Sequence, residues 1–236
     1  FGTSLIAIDA KTGKRAWHFQ MVHHDVWNLD NPNAPKLMDV TVGGKEIPAV
    51  VESTKQGWVY AFDRRTGEPI WPIEERPVPA SDVPGEELSE TQPFVTVLPP
   101  FELQGTTEDD LIDFTPELRQ QAKELASQYR MGPIFTPPSL AKDPDGTKGA
   151  FVMPGAIGCA NLPCFSATDP LNALFFVASV RGHSLLSLVP IARAHLCTPV
   201  TSLHLLCRLL LATQTSFPLP YSPSHPSPPF FLLSLL

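Results

Sequence analysis

An all-β fold built from repeated sheet units, as part of a β-propeller, follows from three features of the 236-residue sequence. Ala7-x-Asp9-x-x-Thr12-Gly13-x-x-x-Trp17 returns as Ala61-x-Asp63-x-x-Thr66-Gly67-x-x-x-Trp71, five identities at a constant offset of 54 residues. Short runs of β-forming residues flank a turn signal in both copies. Repetition at about 50 residues with hairpin signals is what propeller blades produce.

The elements follow in order. Residues 4–9 and 15–20 form a hairpin across Thr12-Gly13. Asp and Thr side chains can close that turn on backbone amides, Gly takes the positive φ, and Trp wedges against the next sheet. Residues 36–42 and 46–51 read as strands joined at Gly43-Gly44, and Gln56-Gly57 leads into a strand at 58–62. From Pro72 to about Pro100 the chain reads as a proline-punctuated loop, with 76–86 unable to enter a sheet interior.

A helical insertion is expected over about residues 106–130. Thr107 with Asp110 makes a capping box, and Thr115-Pro116 supplies a second N-cap with Pro at the first helical position. Leu118, Ala122, Leu125 and Tyr129 mark one face, and Gly132-Pro133 ends the segment. Residues 149–154 open a third blade, and 172–179 read as a strand. Beyond residue 180 neither helix nor strand periodicity is visible. Residues 181–236 are a Leu/Ser/Pro-rich tail, expected to be disordered or non-native.

Every Asp, Glu and Lys lies at or before Asp169, so 14 basic and 24 acidic residues leave −10 there, against +3 from three arginines on the remainder. No basic cluster exists, which excludes non-specific nucleic-acid binding. The tail's prolines, arginines and histidines interrupt every candidate membrane span. The four cysteines form no CxxC pair and have no neighbouring His at zinc-like spacing, which argues against a structural metal, whereas Cys159 and Cys164 suit either buried thiols or a small disulfide loop. The chain begins at Phe1 rather than Met and reads as a fragment.

The candidate site is residues 23–32, which hold two imidazoles, carboxylates, an indole and amides within ten positions. A segment present only to be buried could not readily satisfy that many polar groups.

With the repeats in view, "FQMVHHDVWNLDNPNAPKLMDV", Thr54-Lys55-Gln56-Gly57, "FDRRTGEPIWPIEERPVPASDVPGE", "TQPF", "FTPPS" at 135–139 and "PGAIGCAN" at 154–161 resemble the pyrroloquinoline-quinone (PQQ) dependent dehydrogenases. The branch is that of the membrane-bound quinoprotein glucose dehydrogenase, with quinate and polyol enzymes, and the resemblance covers about residues 1–180. It implies two to three blades of an eight-bladed quinoprotein propeller, with PQQ near the axis beside Ca²⁺ or a similar ion. It also implies a sugar or polyol substrate, hydride transfer to the quinone, a quinone or cytochrome electron acceptor, and a periplasmic or periplasm-facing location.

Carried over by residue, the resemblance makes Lys55 the group that hydrogen-bonds the quinone oxygens. His24, Asp25 and Trp27 build the frame, with His24 and Asp25 in the catalytic set and Trp27 against the cofactor. Asn161 is a cofactor contact, Asp30 faces the metal, and the other metal ligands are expected upstream of Phe1. The position of the family's aspartate base holds Asn28, whose amide cannot accept a proton. Two readings follow: a fragment of an alcohol-oxidising quinoprotein, or an inactive propeller used as a binding scaffold.

Overall fold

The computed structural model describes residues 1–140, 146–156 and 158, and the backbone of strands at 165–168, 173–176, 184–189 and 196–199. Strands β1 (Ser4–Ile8) and β2 (Arg15–Gln20) form the first hairpin, with Leu5 opposite Phe19 and Ala7 opposite Trp17. In its turn, Asp9 Oδ1 accepts from the Lys11 and Thr12 amides at 3.0 and 2.8 Å and from the Thr12 hydroxyl at 2.9 Å. Gly13, at φ +68°, donates back to the Asp9 carbonyl at 2.8 Å.

The second copy closes with the same Gly-to-Asp bond, although Arg65 rather than Thr66 takes the Asp63 carboxylate. Gly67, at φ +78°, donates to the Asp63 carbonyl at 2.8 Å, and the Asp63 carboxylate accepts from the Arg65 amide at 2.9 Å. Trp17 lies across this second turn, donating from Nε1 to the Arg64 carbonyl at 3.1 Å. A Cβ on Gly67 would stand 2.7 Å from the indole. The tryptophan wedge therefore joins one repeat to the next.

Strands β3 (Lys36–Val42), β4 (Lys45–Ser53) and β5 (Val59–Asp63) make an antiparallel sheet in that order. A bridge from Phe62 to Pro69, with the Ile70 amide donating to Ala61 O at 2.9 Å, adds a rudimentary fourth line. Val50, Tyr60 and Phe62 face one core with Met21, Trp27, Leu29, Trp58 and Phe135. Ala49, Val51, Val59 and Ala61 face a second core with Met38 and Val40. Alternation along β4 and β5 puts successive side chains into different cores, as in a blade covered on both sides. Each valine-sized side chain so buried contributes about 1.5–3 kcal/mol.

The proline-rich stretch is not all loop. Strands β6 (Ile73–Pro77) and β7 (Thr91–Val95) pair antiparallel, and only residues 78–90 loop out. A two-stranded ribbon tolerates prolines because each strand keeps an open edge. The Pro93 carbonyl is used, accepting from the buried Tyr60 hydroxyl at 3.0 Å.

Strands β8 (Gly105–Thr106) and β9 (Gly132–Pro133) pair and bracket the helical insertion. Within it, Asp110 Oδ2 accepts from the Thr107 amide at 2.7 Å. Helix α1 (Pro116–Ala126) starts under Thr115 Oγ1, which accepts from the Leu118 amide at 3.2 Å. Its buried face is Ala122 and Ala126, with Leu118 and Tyr129 packed against Leu111, Ile112 and Phe151, while Leu125 is exposed. The face is turned from the expected one because the small alanines allow close approach.

Strand β10 (Ala150–Val152) pairs with β13 (Ser184–Val189), which pairs with β14 (Leu196–Pro199). Strands β11 (Phe165–Thr168) and β12 (Ala173–Phe176) form a hairpin. Within the stretch 181–236, the described backbone is the strands at 184–189 and 196–199. The three-residue β10 has an edge to fill, and the apolar run at 184–189 fills it. The rest of the tail lies outside the described residues.

Candidate functional site

The loop at residues 23–32 leaves β2 and returns to β3, and three glutamines hold it. Gln92, fully buried on β7, accepts from the His23 amide at 2.8 Å and donates to the His23 carbonyl at 2.6 Å. Gln56 donates to the Leu29 carbonyl at 3.1 Å, and Gln104 donates to the Gln56 carbonyl at 2.7 Å. Side-chain amides suit this task because each can replace a strand partner for a peptide group. Two of the loop's non-glycine residues, His24 at φ +46° and Asn28 at φ +62°, are left-handed. Asparagine and histidine enter that region more often than most non-glycine residues, but each does so at a cost its surroundings must offset.

Between those positions the backbone closes on Asp25, whose Oδ1 accepts from the Trp27 amide at 2.9 Å. Burial raises the Asp25 pKa above the ordinary carboxylate value, against the pull of hydrogen bonds from Trp27 and Leu29. Trp27 has no exposed surface; its Nε1 donates to the Thr136 carbonyl at 2.9 Å and its ring meets Phe135 edge-on at 5.1 Å. It lies under the loop, on the 135–139 segment.

Lys55 is at the tip of the β4–β5 turn, where Gly57 at φ +79° donates to the Thr54 carbonyl at 3.0 Å. Only 5% of Lys55 is exposed. Its Nζ donates to Asp30 Oδ1 at 2.6 Å and to the Asn28 carbonyl at 3.2 Å. Asp30 is open to solvent, so the pair presents a carboxylate above a buried ammonium. Gly158, at φ +77°, lies on the lysine stem, where a Cβ would come within 2.2 Å of Lys55 Cγ. The Asn28 side chain donates from Nδ2 to the Ala156 carbonyl at 3.2 Å.

Asn28, Asp30 and Lys55 are thus brought together, with Asp25 and Trp27 bracing them from below. His24 lies on the loop's other end, where Nε2 meets Glu86 Oε1 at 2.6 Å; the glutamate side chain is 1% exposed and the imidazole half exposed. His23 bridges Gln20 at 2.8 Å and Glu75 at 3.0 Å. Asn161 lies outside the described residues. Sequence reasoning missed Gln92, Glu75 and Glu86, although "TQPF" and the 78–90 loop contain two of them. Among the described residues no group of three or more His, Cys, Asp or Glu is arranged to hold a metal ion.

Two-faced sheets linked by a tryptophan wedge define the class as a β-propeller segment, with a buried lysine and a polar loop at one end. The model of the glucose/ethanol/alcohol dehydrogenase β-propeller domain family, PQQ, matches residues 1–202, and the chain belongs to that family. The match extends beyond residue 180, where the resemblance read from the sequence stops. The chain is 36% identical over 160 residues to the quinoprotein glucose dehydrogenase of Escherichia coli, covering 67% of this chain and 19% of that protein. It is 35% identical over 182 residues to the quinate/shikimate dehydrogenase (quinone) of Acinetobacter baylyi, covering 77% and 22%. It is 39% identical over 144 residues to the glycerol dehydrogenase large subunit of Gluconobacter oxydans, covering 59% and 19%. The chain therefore spans about a fifth of the length of these relatives.

Proposed function

We propose that the chain is one segment of a PQQ-dependent dehydrogenase that oxidises an alcohol group of a sugar or polyol, and that residues 23–32 and Lys55 face the cofactor. The observation that carries this reading is the Lys55 ammonium, buried yet directed between Asp30 and the Asn28 carbonyl. A fixed cation suits the oxygens of a quinone that gains negative charge on reduction. Bound PQQ would supply the hydride acceptor.

The chain's residues supply position and charge. Lys55 would hydrogen-bond the quinone, with Asp30 holding its ammonium in place. Gly158 keeps the lysine stem covered, and Asp25 and Trp27 fix the loop. Asp30 would offer one oxygen to a calcium-like ion. The substrate class and a quinone acceptor follow the names of the relatives, whereas an acceptor of the cytochrome type and a periplasm-facing location follow from the family resemblance of the sequence. Among the described residues no helix is long and apolar enough to cross a membrane.

The test is PQQ binding and turnover by the full-length protein carrying this segment, with Ca²⁺ and an artificial acceptor, on glucose, quinate or glycerol. Binding lost on Lys55→Ala supports the reading; absence of both binding and turnover in the unaltered protein overturns it.

Asn28 favours a second reading, a propeller that binds without catalysis, because its amide is a hydrogen-bond donor at the position of the family's base. Tight PQQ binding with no turnover on any alcohol identifies that state.

A further inference from the structure

We propose that the His24–Glu86 pair is the proton acceptor for the substrate hydroxyl, in place of the carboxylate that Asn28 replaces. The inference rests on the dehydrogenase reading above. It starts from elimination among the loop's polar groups. The Asn28 amide donates to Ala156 and has no basic lone pair. Asp25 is occupied by the turn it closes, and Asp30 by Lys55. The His23 ring is held at both nitrogens.

His24 differs from all of these. Its Nε2 meets the Glu86 carboxylate at 2.6 Å, with that carboxylate 1% exposed while the imidazole remains half exposed. A carboxylate oxygen opposite Nε2 requires the hydrogen there, so the neutral ring presents the Nδ1 lone pair outward. Among the described residues Nδ1 meets no partner. A buried carboxylate, an oriented imidazole and an open basic nitrogen are the elements of a general base.

The backbone supports the same assignment. His24 is held at φ +46°, a left-handed backbone that a non-glycine residue keeps only where its surroundings enforce it. The enforcement is visible one residue earlier, where Gln92 clamps both peptide groups of His23. Gln92 and Glu86, both from the β6–β7 ribbon and its loop, thus fix where His24 stands and which tautomer it adopts. Glu86 is a positioning residue.

In the step itself, the substrate O–H bond breaks and its proton bonds to Nδ1. Bound PQQ would supply the acceptor for the hydride lost from the adjacent carbon, which becomes the carbonyl carbon.

The experiment has two arms. The first is the ¹⁵N spectrum of the full-length protein labelled at histidine: a single Nε2–H tautomer is expected for His24, mixed on Glu86→Gln. An Nδ1–H tautomer in the unaltered chain overturns the proposal. The second uses the PQQ-loaded full-length protein. His24→Gly accepts the positive φ and leaves a space the size of the ring, so it is expected to retain PQQ, to lose about 10²–10⁴-fold in kcat/KM, and to regain part of it with free imidazole. PQQ binding with a loss below about threefold overturns the assignment alone. A loss that imidazole does not relieve makes His24 a brace and also overturns it. No PQQ binding in the unaltered protein overturns the dehydrogenase reading as well.

Discussion

The side-chain amide of Asn28 donates a hydrogen bond to the carbonyl of Ala156 at 3.2 Å, tying residues 23–32 to the segment beside Lys55. A carboxylate in the same place would set oxygen against oxygen. Asn28→Asp is therefore expected to destabilise the protein by about 1–3 kcal/mol at neutral pH, and less in acid, where the protonated carboxyl can donate. Thermal denaturation at the two pH values measures it; equal melting temperatures for both proteins at neutral pH rule it out.

Gly158 and Lys55 give a second prediction. Because a Cβ at position 158 would come within 2.2 Å of Lys55 Cγ at φ +77°, Gly158→Ala is expected to push the lysine off Asp30. PQQ affinity should then fall about as far as in Lys55→Ala, a loss set by one charge-assisted hydrogen bond of about 1.5–3 kcal/mol. Unchanged affinity in Gly158→Ala would show that the stem has room to move.

The two repeat glycines should behave differently. A Cβ at Gly13 meets nothing within 4 Å, whereas at Gly67 it meets the Trp17 ring at 2.7 Å. Gly13→Ala is expected to cost only the left-handed strain, about 1–2 kcal/mol. Gly67→Ala adds the displacement of a tryptophan and should cost at least about twice as much. Chemical denaturation of the two variants compares them directly, and equal costs refute the wedge.

Glu52 gives a pH dependence. It is 2% exposed, with Oε2 lacking a hydrogen-bond partner, and burial raises its pKa from 4.5 to about 8, opposed by the charge of Lys36. The unfolded chain releases this proton near the ordinary value while the folded chain retains it. The stability tied to Glu52 is therefore full below about 4.5, declines as pH rises, and is gone above about 8. Glu52→Gln should flatten the melting temperature between about pH 5 and about pH 9 relative to the unaltered protein. Parallel profiles for the two would exclude the effect.

What could be read in advance divides by range along the chain. The Asp9 and Asp63 turns, the Thr115 cap and the crowding at 23–32 each involve residues a few positions apart, so local pattern exposes them. The β6–β7 ribbon was hidden because Pro77 and Pro93 argue against strands unless an open edge is known. The partners of the site loop are more distant still: Gln92 stands 69 residues from His23 and Glu86 stands 62 from His24. Nothing local in "TQPF" says that its glutamine completes a peptide elsewhere. Leu125 misled for another reason, since helical spacing alone cannot show that Ala126 offers the closer approach to Phe151.

The Gln92 clamp also makes the site loop depend on a distant part of the chain. Its two hydrogen bonds close a loop of 69 residues, whose closure entropy must be offset by docking of the ribbon on the sheet of β3, β4 and β5. The left-handed backbone of His24 and its pairing with Glu86 both follow from that docking. A molecule whose ribbon has not docked would lack both the clamp on His23 and the Glu86 partner of His24.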